Sequence, residues 1–123
     1  MSRLTEYIEM VRKGIPHLDK VVEGISNSVM MEFNTLPKDE QEEIIRRRLI
    51  CEGCPLNSTL AQTSEEYYSL YNEHYKTDRK DFHCSICSCP IKTRTASLSS
   101  DCGLIIYNES NPSDKRELKW KKF

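Results

Sequence analysis

A mainly α chain that ends in a small cysteine-rich lobe is the fold class the sequence predicts. Three observations carry that expectation: apolar residues recur at helical spacing through residues 1 to 50, all six cysteines fall in residues 51 to 123, and two short apolar segments near the C-terminus flank a turn-rich stretch. The lobe is therefore expected to be zinc-ribbon-like, α with a small amount of β. Two regions follow, an N-terminal helical region over 1–50 and a metal-binding lobe with a basic tail over 51–123.

The first helix is expected over residues 2 to 13, where Leu4, Ile8 and Val11, followed by Ile15, keep helical spacing until Gly14 and Pro16 end it. A second should run from residue 17 to 32, with Leu18, Val21, Val22, Ile25 and Val29 on one stripe. Met30, Met31 and Phe33 extend that stripe, which is more apolar surface than two short companion helices cover. Val22, Ile25, Val29 and Phe33 are thus expected to form a partner-binding face, unless the flanking helices bury them in a three-helix core. The third helix opens at Pro37, whose fixed φ suits a helix start, with Asp39 and Glu40 at the positive end of the dipole, and continues through Ile44, Ile45 and Leu49.

A fourth helix is expected after Thr63 or Ser64, because serine followed by Glu65 and Glu66 is an N-terminal signal. It would carry Tyr67, Tyr68, Leu70, Tyr71, His74 and Tyr75, and Tyr68, Tyr71 and Tyr75 would share the face that packs over the cysteine lobe. Residues 104 to 107 and 117 to 120 then read as a β-hairpin around the loop NESNPSDK.

Composition bounds what such a chain can do. In 123 residues, 37% hydrophobic and 30% charged, the core must be modest, so another device should help to hold the fold. Charged residues Glu6, Glu9, Arg12 and Lys13 interrupt the N-terminal segment, which leaves no signal-peptide core, and no apolar run approaches the roughly 20 residues of a membrane span. A soluble protein in a reducing compartment, without membrane contact, is the expectation. In that setting cysteines serve as metal ligands more often than as disulfides.

The cysteines make one Cys-x-x-Cys at Cys51 and Cys54, then, after 29 residues, a Cys-x-x-Cys-x-Cys at Cys84, Cys87 and Cys89, and a last thiol at Cys102. Two residues between thiols let a tight turn present both sulfurs to one ion, and two such turns complete a tetrahedral zinc site. The simplest ligand set is Cys51, Cys54, Cys84 and Cys87, with Cys89 and Cys102 as buried thiols or as substitutes within the site. A two-metal cluster with bridging thiolates is the other allocation. Four thiolates close the zinc shell and leave no place for an activated water, so the site is expected to be structural and the protein not an enzyme. The strand–helix context of a redox Cys-x-x-Cys, the ferredoxin spacings and the His-x-Glu of zinc deaminases are all missing.

Other polar residues have bland and sharp readings side by side. His83, beside Cys84, could replace a thiol, and His74 lies on the tyrosine-rich segment; packing or surface roles are expected for both. Arg46, Arg47 and Arg48 look like a phosphate patch, but Glu42 and Glu43 precede Arg46 and Arg47 by four residues, the spacing of solvated helix pairs. The C-terminal Lys115, Arg116, Lys119, Trp120, Lys121 and Lys122 form the better candidate for contacting nucleic acid, set against a tail that merely docks Trp120. With a net charge of −1 and no domain-wide basic face, nucleic-acid binding ranks second to protein interaction.

The series RRRLICEGCPLNS, HCSICSCPIKTRT, DCGL and a closing LKW resembles small cysteine-rich proteins of tailed bacteriophages, especially the crAss-like phages of Bacteroidetes. In that family an Ile-Cys-x-x-Cys is followed by Cys-x-x-Cys-Gly-Cys with a Lys after it, a later Cys and a final Lys-Trp. This chain has Ser88 in place of the glycine and a longer tail between Cys102 and Trp120. The resemblance implies a phage product without a known catalytic activity, expected in the cytoplasm of a bacterial host and in the virion. Its role would be that of an auxiliary structural protein bound to capsid or portal proteins, the alternative being a transcription-modulating, nucleic-acid-binding zinc ribbon.

Overall fold

A computed structural model describes residues 18 to 123, so the helix expected over 2–13 lies outside the described residues. The fold is mainly helical: α1 (Leu18–Glu32), α2 (Lys38–Glu52), a 3-10 turn (Leu60–Gln62), α3 (Glu65–Tyr71), α4 (Ile91–Ala96) and α5 (Leu104–Ser110). Among the described residues β structure amounts to two isolated antiparallel bridges, Asn57 with Cys84 and His83 with Pro90. Nor is any described helix long and apolar enough to cross a membrane.

Helix α1 forms where its periodicity places it, yet it packs through the opposite face. Its buried side is Gly24, Asn27 and Ser28, laid against α4. The reason is hydrogen bonding at close range. A Cβ on residue 24 would stand 2.2 Å from the Thr93 carbonyl oxygen, so only glycine permits the approach. Asn27 Nδ2 then donates to the Ala96 carbonyl at 2.8 Å, an acceptor at the end of α4 with no partner inside the helix, and Ser28 Oγ to that of Lys92 at 3.0 Å. Val22, Ile25 and Val29 of the apolar stripe, with Phe33 beyond it, are left outward, while Met30 and Met31 pack against the core.

Pro37 precedes α2 as its N-cap (φ −53°, ψ 147°), with Asp39 and Glu40 in the first turn as expected. The stripe that α2 buries is Ile44, Arg47 and Cys51, three and four residues apart. Ile45 and Leu49, expected on the apolar face, are exposed. Ser64 caps α3 by accepting from the Tyr67 amide at 3.1 Å, and Asn72, in the left-handed region at φ 56°, ends it. That early end leaves His74 and Tyr75 beyond the helix. The inward tyrosine is Tyr67, whose ring meets those of Tyr71 and Tyr75, whereas Tyr68 is exposed beside His74.

The C-terminal hairpin is not formed. Residues 104 to 107 belong to α5, which turns Leu104, Tyr107 and Asn108 inward at helical spacing. Residues 117 to 120 run alongside without a strand partner. The Asn108 carboxamide supplies the pairing a strand would have made, accepting from the Arg116 amide at 2.8 Å and donating to its carbonyl at 2.9 Å. Two apolar clusters result. The larger gathers Cys51, Leu56, Tyr67, Ile91, Cys102 and Trp120 among others, and the smaller joins Leu36 and Ile44 to Ala96 and Leu98. The smaller therefore spans both sequence regions.

Candidate metal centre

Each cysteine is delivered by a local device that can be traced to its neighbours. Cys51 ends the buried stripe of α2, and the Cys54 amide donates to the Cys51 carbonyl at 3.2 Å, so both thiols leave the helix on one side. Asn57 holds that turn, its Nδ2 reaching the carbonyls of Cys51 at 2.9 Å and Glu52 at 3.1 Å while its Oδ1 accepts from the amides of Thr59 and Leu60. The second turn closes at Ser88, whose φ of 63° lies in the left-handed region. Glycine would adopt that conformation at less cost, and here serine takes it, with Ser88 N donating to Cys84 O at 2.9 Å and Cys84 N to Cys89 O at 3.0 Å. Cys102 stands just before α5, its amide donating to the Trp120 carbonyl at 3.0 Å.

These segments meet. A small cavity, about 20 Å³, is lined by Cys51, Cys54, Cys84 and Cys102, with Arg94 and Lys119 at its wall. Cys87 lies beside Cys84 at the same wall, because Gly103 abuts both: a Cβ there would stand 2.8 Å from Cys84 Sγ and 2.9 Å from Cys87 Sγ. Cys89 is on the far side of Cys87, in a separate recess with Arg94. All six thiols are free, and none is joined in a disulfide.

Backbone and indole N–H groups point at the sulfurs. Leu56 N donates to Cys54 Sγ at 3.5 Å, Ile86 N to Cys84 Sγ at 3.4 Å and Trp120 Nε1 to Cys51 Sγ at 3.4 Å. Donors of this kind stabilise sulfur as thiolate. Opposing them, burial pushes the Cys51 thiol up to about 11 and raises Cys54 and Cys102. Cys87 behaves differently: it accepts from the thiols of Cys84 and Cys89, which hold it well below the usual thiol range, and those same contacts, with burial, push Cys84 and Cys89 up.

Among the described residues no three His, Cys, Asp or Glu side chains are disposed as a ready-made metal site. The donor chemistry nevertheless fits a soft divalent ion. Soft thiolates select zinc, three N–H groups already address the sulfurs, and Gly103 keeps clear the wall that two of them share. Cys51, Cys54, Cys84 and Cys87 could hold it, with Cys102 on the same cavity.

No family model matches this chain, and no curated protein or solved structure matches it.

The other expected site residues fall into place around the thiols. His83 is fully buried with both ring nitrogens engaged, Nδ1 with the Asp81 carbonyl at 2.8 Å and Nε2 with Tyr75 Oη at 2.7 Å, so it packs beside the cluster rather than joining it. Val22, Ile25, Val29 and Phe33 are 57%, 48%, 48% and 73% exposed. In the tail, Trp120 is buried, Lys119 pairs with Glu66 at 2.9 Å and Arg116 with Asp114 at 3.1 Å, whereas Lys115, Lys121 and Lys122 are exposed. Much of the tail thus belongs to the fold. The arginine triplet departs furthest from expectation. Arg46 pairs with Glu43 on the surface, but Arg47 is fully buried and Arg48 donates to the Lys92 carbonyl and the Thr95 hydroxyl. Sequence reasoning missed Arg47, Arg94 and Asn57 as members of the site's frame. Gly103 carried a signal, a glycine directly after a candidate ligand.

Proposed function

We propose that this protein is a non-enzymatic, zinc-stapled interaction module. The carrying observation is that thiols from three distant stretches, the end of α2, the turn at Cys84 to Cys89 and the approach to α5, converge where the larger apolar cluster meets the returning tail. In this reading zinc is held by Cys51, Cys54, Cys84 and Cys87, and its contribution is to fix those stretches together in place of a larger core. Cys102 and Cys89 stand next to that set as buried thiols. The outward face of α1, through Val22, Ile25, Val29 and Phe33, is the surface offered to a protein partner.

The motif resemblance supports a capsid or portal protein of a bacteriophage particle as that partner, and the host cytoplasm and the virion as the places where the chain works. Nucleic-acid contact ranks below it, since Trp120, Lys119 and Arg116 are engaged within the fold. Elemental analysis of protein purified under reducing conditions tests the metal. About one zinc per folded chain is expected on the closed four-thiolate site, and folded protein free of metal overturns the reading.

A further inference from the structure

Arg94 is a buried cation whose surroundings contain sulfur where a carboxylate would be expected. It lies in α4 at 8% exposure, and its Nε donates to the Asp101 carbonyl at 3.1 Å. On one side it lines the cavity of Cys51, Cys54, Cys84 and Cys102, and on the other the recess that holds Cys89. Among the described residues the ion pairs formed by Asp and Glu go to other cations, and the groups whose charge bears on Arg94 are Cys87, Cys89, Cys84 and Cys102. A guanidinium does not give up its proton, so burying one requires a compensating negative charge. Neutral thiols do not provide it. Thiolates do, either Cys87 alone, which is held low by the Cys84 and Cys89 thiols and partly by Arg94, or four of them on a divalent ion, which is left doubly negative.

We propose that Arg94 is the counter-charge of the cysteine centre, a positioning residue that offsets the negative charge of the metal-bound thiolates and so sets the affinity for a soft divalent metal. This rests on the zinc reading above. The pairing is mutual: the guanidinium makes a thiolate centre tolerable inside the core, and the centre makes the buried guanidinium tolerable. It also gives Cys89 a role outside the ligand set, as the thiol that bridges Arg94 and Cys87.

The test is a zinc and cobalt(II) titration of the full chain under reducing conditions, comparing wild type with Arg94→Gln and Arg94→Lys. Arg94→Gln should weaken zinc binding by roughly 10–100-fold, the size of effect found for groups supporting metal ligands. It should also move the thiolate-to-cobalt charge-transfer band to lower energy, because the sulfurs lose the positive charge that stabilises their electrons. Arg94→Lys should restore both. Unchanged affinity and band position in Arg94→Gln overturn the proposal while leaving the zinc reading intact, whereas wild type that binds neither metal overturns both. If Arg94→Gln does not fold, Arg94→Lys decides: a folded, metal-binding lysine variant supports the counter-charge, and failure of both variants overturns it.

Discussion

The Arg47 guanidinium lies over the Trp120 ring, 4.3 Å from its centroid, and the same indole donates its N–H to Cys51 Sγ at 3.4 Å. One arginine thereby couples α2, the C-terminal tail and the first cysteine. Its remaining N–H groups reach Glu43 at 2.8 Å and the carbonyls of Ser97 at 3.0 Å, Leu98 at 3.1 Å and Lys121 at 3.0 Å. Guanidinium suits this position because its donors spread in a plane whose face remains free to stack.

Replacing Arg47 should therefore damage the fold far more than replacing its neighbour. Arg47→Ala leaves the carbonyls of Ser97, Leu98 and Lys121 without that donor, leaves Glu43 to Arg46 alone and uncovers the indole, a loss of about 3–5 kcal/mol when several buried acceptors go unpaired. Arg47→Lys should recover little, since a point charge cannot serve that set of acceptors. Arg46, with its side chain 54% exposed, should tolerate alanine within about 0.5 kcal/mol. Urea unfolding followed by Trp120 fluorescence reads all three.

The glycines supply an internally controlled series. Alanine at 103 meets two sulfurs at under 3 Å and alanine at 24 meets the Thr93 carbonyl, whereas alanine at 53 meets nothing within 4 Å. Gly103→Ala should cost about 1–3 kcal/mol by overpacking and lower metal content. Gly24→Ala should be at least as costly and leave metal content unchanged. Gly53→Ala should be close to neutral in thermal unfolding. Equal effects at all three positions would contradict the close approaches described here.

Ligand substitutions should sort the thiols. Cys51→Ser and Cys84→Ser are expected to behave like treatment with a chelator, losing zinc and ordered structure together, because binding energy in such a site is folding energy. Cys102→Ser should be milder, and Cys89→Ser should keep stoichiometric zinc. Elemental analysis alongside circular dichroism distinguishes these outcomes. Retention of zinc by Cys84→Ser would refute the ligand set.

Acid should expose the pair of Asp81 and Arg79, which meet at 2.6 Å. Burial acts to raise the Asp81 carboxyl, but hydrogen bonding and charge from Arg79 outweigh it and hold the group below its ordinary value of 3.8. With the folded value depressed, its stabilisation is present above the ordinary value and is lost as pH falls through the folded one. Between about pH 5 and pH 2 the wild-type melting temperature should accordingly fall more steeply than that of Asp81→Asn, both carrying the same zinc load so that acid release of metal acts equally on each. Parallel curves would show that the pair contributes nothing.

The exposed stripe of α1 can be altered without touching the core. Val22→Gln with Val29→Gln should change stability by no more than about 0.5 kcal/mol, as surface substitutions do. Under the proposed reading wild type co-sediments with purified phage particles and the double variant does not, and wild type that stays in the supernatant overturns that partner. Retained association would move the interface to the cysteine lobe or the tail.

Local chemistry determined a good deal of this molecule without reference to its tertiary structure. Pro37 and Ser64 mark where α2 and α3 begin, the periodicity of residues 18 to 32 specifies α1, and the two Cys-x-x-Cys turns bring their thiols together, because each depends on contacts within a few residues. What faces inward was a different matter. Periodicity alone leaves the apolar stripe of α1 either offered to a partner or buried in a three-helix core, and Gly24, Asn27 and Ser28 decide between them by offering close approach and hydrogen bonds to α4. The glutamate spacing before Arg47 is that of a solvated pair, and that pair forms; only the tertiary structure brings Trp120 and the carbonyls of residues 97, 98 and 121 around it and makes it interior. Likewise Leu104 to Tyr107 suits either strand or helix by composition, and helix prevails because Leu104, Tyr107 and Asn108 all face the core at helical spacing while the Asn108 side chain replaces the strand partner. The sequence by itself thus determined α1, the starts of α2 and α3, and the close spacing of the thiols within each Cys-x-x-Cys, but neither α4 nor α5. The tertiary structure decided which faces are buried and which charges become interior, since those outcomes depend on groups tens of residues apart competing for the same acceptors.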